Sequence, residues 1–301
     1  MTEIKAAISQ FHSATGLSVR QADFLVVLAT MAWGSSYLLM KIGLADIPPC
    51  SLIFLRFGIA FLVTSLLFFK KIISTPKETL LHSAILGFLL FSLFAILMYG
   101  MQTTTTQNAA FLCSTTIVMV PIMQGVLARK MPSPICFIGV ATTMVGIALL
   151  TLQHSLDFQW GDMFCLGTAF LYGCHILVSA RFAPKADSLQ LGIWQLGFAA
   201  LFGLVGTIDF ETPALPATET EWGAILGLAL LCSAFGFIMQ TIAQKYTTAD
   251  HVSLIYSLEP VFATLFGFVF LHEILSLQGG LGALLILGSV VMTTLLSKRK
   301  S

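Results

Sequence analysis

A stretch of 50 residues from Thr79 to Ala128 contains no Asp, Glu, Lys or Arg. As one continuous helix it would be about 75 Å long, because an α-helix rises about 1.5 Å per residue. The hydrocarbon core of a bilayer is only about 30 Å thick. The stretch must therefore fold back on itself, and residues 99–108, which are rich in Thr and Gln, provide the turn. This pattern is typical of consecutive membrane-spanning helices.

The composition agrees with a chain that is largely surrounded by lipid. Hydrophobic residues make up 57% of the chain and charged residues 10%, with a net charge of +1, whereas soluble domains carry roughly 25% charged residues. These values exclude an ordinary water-soluble enzyme, a disordered protein and a nucleic-acid binder. The six cysteines lie in or beside apolar runs, and none forms a C-x-x-C pair. We interpret them as packing residues, and we predict no metal site and no cofactor.

Treating the other apolar runs in the same way predicts an all-α integral membrane fold with ten transmembrane helices. Helices are favoured over a barrel because the runs are continuously apolar and do not alternate. Residues 1–22 lack the apolar core of a cleavable signal peptide and are interpreted as a cytoplasmic segment, either frayed or a short interfacial helix. Glycines in the runs, such as Gly223, Gly227, Gly282 and Gly288, indicate close helix packing. The ten predicted spans, called segments 1 to 10 below, are residues 23–42, 50–69, 79–100, 105–127, 133–152, 161–181, 188–208, 222–244, 248–271 and 276–296.

The basic residues predict the orientation of these segments. With the N-terminus in the cytoplasm, all Lys and Arg residues except Lys41 and Arg56 fall on the cytoplasmic side, including the basic tail 297–301. The largest outer loop, Asp209–Trp222, has acidic residues and no basic one. This bias is the positive-inside signature. It predicts a multi-pass protein of the cell inner membrane with both termini in the cytoplasm.

An internal repeat divides the chain into two halves, residues 23–152 and 161–296. Each half holds five predicted helices, and because five is odd, the second half enters the membrane from the opposite side. Inverted repeats give a transporter two related states around one central site. The alternative is that duplication only produced a large membrane fold. The matching positions, offset by 139 or 140 residues, are Asp23 with Asp162, Trp33-Gly34 with Tyr172-Gly173, Arg56 with Gln195, Gly58 with Gly197, Gly87 with Gly227 and Pro121 with Pro260.

Several motifs resemble the EamA family of the drug/metabolite transporter superfamily. The run Met31-Ala-Trp-Gly-Ser-Ser-Tyr37 is similar to the family's A-x-W-G-S pattern, and Ser257-Leu-Glu-Pro-Val-Phe-Ala263 is similar to its S-L-E-P-V-F-A stretch. The runs that begin at His272-Glu273 and at Gly282-Ala283 resemble the family motifs that come after the S-L-E-P-V-F-A stretch. The resemblance covers residues 23 to 296 and implies a central cavity lined by segments 1, 3, 4, 6, 8 and 9. It also implies a small-molecule substrate, without identifying it.

Two prolines at matching positions mark candidate kinks, and an acid stands beside one of them. Glu259 lies near the predicted bilayer midplane, where a carboxylate costs roughly 2.5–3.5 kcal/mol on insertion scales. Pro260 removes the hydrogen bond to the Tyr256 carbonyl, so this region is a candidate substrate or proton site. The alternative is a structural hydrogen bond that fixes the kink. Pro121 is the matching kink in segment 4, for which a role in the site and a role in packing alone both remain open.

Two further ionisable residues lie inside predicted spans. His175 shares a helix face with Tyr172, and it is a candidate proton relay or substrate ligand; a hydrogen-bonded core histidine is the alternative. Arg56 lies about six residues from the outer end of segment 2, where its side chain is expected to extend outward to the headgroups. A role as the counter-charge of an anionic group is the second interpretation.

The remaining candidate substrate-binding residues form polar or aromatic faces in otherwise apolar helices. Such faces indicate a water-accessible cavity or interhelical hydrogen bonds. Together they predict an aromatic and amide-rich pocket with few charges, suited to a small amphiphile such as an amino acid. The full set of candidates is Trp33, Tyr37, Tyr99, Gln102, Tyr172, His175, Gln240, Gln244, Tyr256 and Glu259.

These observations favour a secondary transporter that exports amino acids or similar metabolites. Drug efflux or metabolite uptake by the same fold is the first alternative, and a channel or a non-transporting scaffold is the second. An enzyme is not expected, because the sequence has no G-x-S-x-G, no H-E-x-x-H and no phosphate-binding loop. Protons are a candidate coupling ion, and the sequence leaves monomer and homodimer open.

Overall fold

The apolar runs of the sequence lie in helices in the computed structural model, which describes residues 17–104, 106–129, 134–151, 159–271 and 276–297. No strand occurs within these ranges. Seven helical stretches are long and apolar enough to cross a membrane, so the prediction of an all-helical membrane protein is confirmed. They are Val19–Gly43, Pro49–Leu67, Lys77–Met101, Asn108–Ala128, Trp160–Lys185, Ser188–Phe210 and Glu219–Ala243.

The other three predicted segments are also helical but shorter or divided. Segments 5 and 10 contain the apolar stretches Pro134–Leu150 and Leu277–Met292, and segment 9 consists of two helices. In chain order, the helices are Val19–Gly34, Ser36–Gly43, Pro49–Leu67, Phe69–Ile72, Lys77–Met101, Thr106–Ser114, Thr116–Ala128, Pro134–Thr151, Trp160–Phe182, the 3₁₀ turn Ala183–Lys185, Ser188–Phe210, Glu219–Leu226, the π-helix Gly227–Phe237, Ile238–Ala243, Ala249–Tyr256, Glu259–Leu271 and Leu277–Ser297.

The first helix begins earlier than the sequence predicted. Ser18 and Gln21 form a capping box, in which the Ser18 hydroxyl accepts from the Gln21 backbone and the Gln21 side chain accepts from the Ser18 backbone. The helix therefore starts at Val19, and the predicted start at residue 23 was wrong. The rest of the predicted N-terminal segment, residues 1–16, lies outside the described residues, as do His272-Glu273 and residues 298–301 of the predicted tail.

Three segments are interrupted in their middle. Segment 1 breaks at Ser35, segment 4 at Thr115 and segment 9 at Ser257-Leu258. The breaks in segments 4 and 9 precede the prolines; Pro121 lies inside the second helix of its segment, and Pro260 lies in the first turn of its helix. A first-turn position suits proline because its missing N–H would have no partner there.

Close packing brings segment 5 against segment 10. A Cβ atom on Gly282 would lie 2.5 Å from the Gly146 carbonyl oxygen and 2.7 Å from the Leu150 nitrogen. The prediction of close packing is therefore confirmed for Gly282. It was wrong for Gly223 and Gly288, where a Cβ would have no neighbour within 4 Å among the described residues.

Replacing Gly282 with alanine is expected to destabilise the protein, because the added methyl group meets backbone atoms that cannot move alone. Overpacking of this kind costs about 1–3 kcal/mol, which should lower the melting temperature in detergent by several degrees. Gly288→Ala adds the same methyl on the same helix in open space and serves as the control. Equal melting temperatures for the two variants would contradict the close approach.

Segments 2 and 7 pack along each other and are joined at both ends. At one end Lys71 Nζ lies 2.8 Å from a carboxylate oxygen of Asp187, which also caps the start of segment 7. At the other end, the backbone N–H groups of Cys50 and Ser51 donate to the Glu211 carboxylate at 2.9 and 3.1 Å. A carboxylate is stabilised there by the N-terminus of segment 2. We call this doubly joined unit the segment 2–7 pair.

Candidate functional site: a central aromatic cavity

A cavity of about 50 Å³ lies between the two sequence halves. Its described lining comes from segments 1, 3, 4, 6, 8 and 9, the set that the family resemblance implies. The lining is mostly aromatic and aliphatic, with hydroxyl groups and one carboxylate. The lining residues are Trp33, Ser36, Tyr37, Met40, Leu93, Phe94, Leu97, Cys113, Ser114, Thr116, Ile117, Thr168, Tyr172, Phe237, Ser253, Tyr256, Ser257 and Glu259.

Trp33 is the centre of the aromatic wall. Its ring centroid lies 5.0 Å from those of Phe237 and Tyr256, and 6.4 Å from that of Tyr172. Tyr172 and Tyr256 stack on each other at 5.4 Å. The wall therefore joins segment 1 of the first half to segments 6, 8 and 9 of the second.

A π-helix in segment 8 fixes the orientation of Trp33. The indole N–H donates to the Cys232 carbonyl at 2.7 Å, and Cys232 belongs to the π-helix Gly227–Phe237. The ring passes directly over Gly236, where a Cβ would overlap the indole nitrogen. π-Helical turns are rare and are frequent at functional sites.

Glu259 contributes the carboxylate of the cavity. It is the first residue of the helix that follows the break in segment 9, so it projects from a helix start. Its carboxylate forms no ion pair and no hydrogen bond within the described part of the chain. The hydroxyl-bearing residues Ser253 and Ser257 line the same space, and this side of the cavity can hold a hydrogen-bond donor or a small cation.

His175 lies behind the aromatic wall and does not line the cavity. It is fully buried, with its ring centroid 6.1 Å from Phe237 and 6.4 Å from Tyr172. Its Nε2 lies 3.0 Å from the Gln195 amide oxygen, while the Gln195 amide nitrogen donates to Thr241. Since the Thr241 hydroxyl donates to the Phe237 carbonyl, Gln195 must accept from His175. The histidine thus donates through its Nε2–H, and its Nδ1 has no hydrogen-bond partner among the described residues.

The other four predicted site residues do not line the cavity. Gln240 donates to Gln244 within the same segment at 3.3 Å, and Gln244 donates to the Ile176 carbonyl of segment 6 at 3.3 Å. Tyr99 donates to Glu211 at 2.8 Å at the end of the segment 2–7 pair. Gln102 is exposed in the turn after segment 3. The cavity thus brings together Trp33, Tyr37, Tyr172, Tyr256 and Glu259.

Arg56 differs most from its sequence-based interpretation. Its side chain does not reach the headgroups, because the residue is fully buried against segment 8. Nε donates to the Ser233 hydroxyl at 3.0 Å, and the guanidinium lies over the rings of Phe57 and Phe94, at 4.8 and 4.3 Å. Phe94 and Phe237 line the cavity. Sequence reasoning missed both, because an apolar residue in an apolar helix carries no signal that separates a cavity wall from a core.

Two aspartates at matching repeat positions connect the halves. Asp23, at the start of segment 1, lies 3.2 Å from the Thr247 hydroxyl and 3.2 Å from His251 Nδ1. Asp162, at the start of segment 6, accepts from the Thr104 hydroxyl. We call these contacts the Asp23 latch and the Asp162 latch. Each joins the first helix of one half to the turn before the fourth helix of the other.

The chain matches the EamA-like transporter family twice, over residues 20–152 and 159–295. Relatives cover nearly the whole chain. "Uncharacterized transporter YoaV" of Bacillus subtilis is 26% identical over 91% of this chain and 97% of its own length. "Probable amino-acid metabolite efflux pump" of Salmonella typhimurium is 25% identical over 90% of this chain and 94% of its own length.

A solved crystal structure has the same fold. It superimposes with a TM-score of 0.78 at 19% identity and covers 94% of this chain and 99% of that one. The two family matches together span most of the sequence, and the described helices carry the apolar stretches that a membrane protein needs. The chain therefore belongs to the EamA-like transporter family and is a membrane transporter.

Proposed function

We propose that this chain is a secondary transporter that exports amino acids or related small metabolites across the inner membrane. The observation that carries the proposal is the cavity, whose aromatic wall comes from both halves of the chain and whose one described carboxylate, Glu259, comes from the second half. An apolar pocket with a few polar groups is typical of a small-ligand site. The Salmonella relative named as an amino-acid metabolite efflux pump supports this substrate class.

The transport mechanism in this proposal is alternating access between two inverted halves of five spans each. The Asp23 and Asp162 latches support it, because matching residues in inverted repeats lie at opposite membrane faces. In this mechanism each latch, when formed, closes the cavity toward the membrane face on which that latch lies. Release of one latch at a time opens the site to one side and leaves the other side closed.

Proton coupling is part of the proposal and rests on Glu259, with His175 as a second candidate. Within the described ranges, Glu259 faces the cavity without a partner, and the His175 Nδ1, which lies behind the wall, is also unpartnered. A carboxylate in a membrane interior exchanges a proton or a cation more readily than it stays charged and alone. Transport that is indifferent to a pH gradient would remove this part of the proposal.

Counterflow in proteoliposomes tests the function directly. Vesicles containing the purified chain are loaded with an amino-acid mixture, and the uptake of each labelled amino acid is measured. A carrier shows saturation and stimulation by substrate on the opposite side. Uptake without such stimulation would indicate a channel, and no uptake would contradict amino-acid transport. A metabolite survey of medium from overexpressing cells identifies the exported compounds, while labelled drugs in the same vesicles test the efflux alternative.

The proposed orientation, with both termini in the cytoplasm, predicts the labelling of introduced cysteines. Leu215→Cys, in the acidic loop between segments 7 and 8, should react with an impermeant maleimide on whole cells, because the residue is exposed and the loop is outside. Ser74→Cys, exposed between segments 2 and 3, should react only after lysis. The wild-type chain gives the background from its own six cysteines. The reverse pattern would overturn the orientation.

A further inference from the structure

Arg56 is a buried charge with no opposite charge beside it in the described part of the chain. Its exposed fraction is 0%, and both terminal guanidinium nitrogens lack a hydrogen-bond partner among the residues that the structure describes. The ion pairs among the described residues, Lys71 with Asp187 and His251 with Asp23, do not involve it. An arginine stays protonated in proteins, so the guanidinium carries its charge into this environment.

The surroundings of Arg56 do not satisfy that charge. One hydrogen bond to Ser233 uses one of five donors. The rings of Phe57 and Phe94 attract the cation but accept no ordinary hydrogen bonds. A buried, unpaired charge strongly destabilises a folded protein. An anion that entered this environment would supply the missing partner.

The central cavity is a space from which such an anion can come. Phe94 lines the cavity and also contacts the guanidinium, so this side chain borders both. Phe237, the neighbouring wall residue, packs on Phe57 and Phe94 with ring centroids 6.0 Å apart. Rotation of the Phe94 side chain would join the cavity to the unpartnered nitrogens. Glu259 supplies the opposite charge on the lining of the same cavity.

We propose that Arg56 binds the carboxylate of the transported substrate. An arginine binds a carboxylate with two parallel hydrogen bonds, and the two free terminal nitrogens match that geometry. With Glu259 available for an ammonium group and the aromatic wall for an apolar side chain, the site selects small zwitterions over amines and over neutral molecules. This inference rests on the proposed function and assigns it a specificity-determining residue.

Three molecules that share a branched carbon chain and differ in their charged groups test the assignment. Their binding is measured as the ligand-induced thermal shift of the full chain in detergent. Leucine has both charged groups, 4-methylpentanoate has only the carboxylate, and 3-methylbutylamine has only the amine. We expect leucine and 4-methylpentanoate to raise the melting temperature of the wild type. Arg56→Gln should lose both shifts, whereas Arg56→Lys, which keeps the charge, should retain them with at least tenfold weaker apparent affinity. Arg181→Gln removes an exposed arginine and serves as the control.

The melting temperature without ligand separates a binding role from a structural one. Arg56→Gln removes an unpaired charge, so its melting temperature should equal or exceed that of the wild type. A marked decrease, an unchanged shift with 4-methylpentanoate, or the absence of any carboxylate-induced shift in the wild type would overturn the assignment. Counterflow is measured separately. Carboxylate binding without counterflow would refute transport but not the site, and counterflow of amines alone would refute the site but not transport.

Discussion

Replacing Glu259 with glutamine is expected to reduce gradient-driven transport by tenfold or more while the melting temperature stays near that of the wild type. A hydrogen bond to a charged group contributes about 1.5–3 kcal/mol, and about 1.4 kcal/mol corresponds to a factor of ten. Stability should not change, because the Glu259 carboxylate forms no hydrogen bond or ion pair within the described residues. Initial rates in proteoliposomes with an imposed pH gradient provide the measurement.

The type of flux that survives distinguishes two roles for Glu259. Glutamine has the shape of the protonated acid but has no proton to release. If Glu259 carries the coupling proton, counterflow should continue when gradient-driven transport is lost. If Glu259 binds the substrate ammonium group, counterflow and gradient-driven transport should both decrease. Glu219→Gln makes the same change at an exposed residue, the first of the helix Glu219–Leu226, and is the control. Loss of folded protein on Glu259→Gln would instead support a structural role.

Replacing Trp33 with alanine is expected to have the largest effect on stability. The residue is only 4% exposed and contacts three rings of the cavity wall. Removing such a side chain costs about 3–5 kcal/mol. Transport should also be lost, because the wall connects the two halves. A thiol-reactive dye can follow unfolding, since Cys50, Cys113, Cys165 and Cys232 are buried in the folded chain.

A milder substitution isolates the hydrogen bond of Trp33. Trp33→Phe keeps an aromatic ring but leaves the Cys232 carbonyl of the π-helix without its donor, which costs about 1–3 kcal/mol. We expect a melting temperature between those of the wild type and Trp33→Ala. Trp160→Ala is the control, because Trp160 is 80% exposed. If Trp33→Ala and Trp160→Ala melted alike, the aromatic wall would not have the role described here.

The sequence predicted the features that depend on local periodicity and charge. Long apolar runs specify helices whatever surrounds them, so the described spans were found with small errors at their ends. The error at the first helix arose because a polar capping box, Ser18 with Gln21, precedes the apolar run. The π-helix of segment 8 was not predicted; residues of two other segments contact it, where Trp33 donates to the Cys232 carbonyl and Arg56 donates to the Ser233 hydroxyl.

The site was only partly predictable, because a polar residue in a span can face a cavity or another helix. Trp33 and Gln240 both lie on faces that suggested a cavity, yet Gln240 pairs with the next turn of its own segment. Arg56 shows most clearly that a position in the sequence does not determine where a side chain points. Its position near a span end favours an outward side chain, and only the packing of Ser233 and Phe94 around it directs the guanidinium inward.

The segment 2–7 pair restricts how the halves can move. One helix of each half belongs to it, and contacts at its two ends, Lys71 with Asp187 and Glu211 with the start of segment 2, resist separation at either face. Two helices that are joined at both ends can rotate about their common axis but cannot separate. In the proposed alternating-access cycle we therefore expect the pair to be the rotation axis, so that the displacement of any other helix increases with its distance from segments 2 and 7.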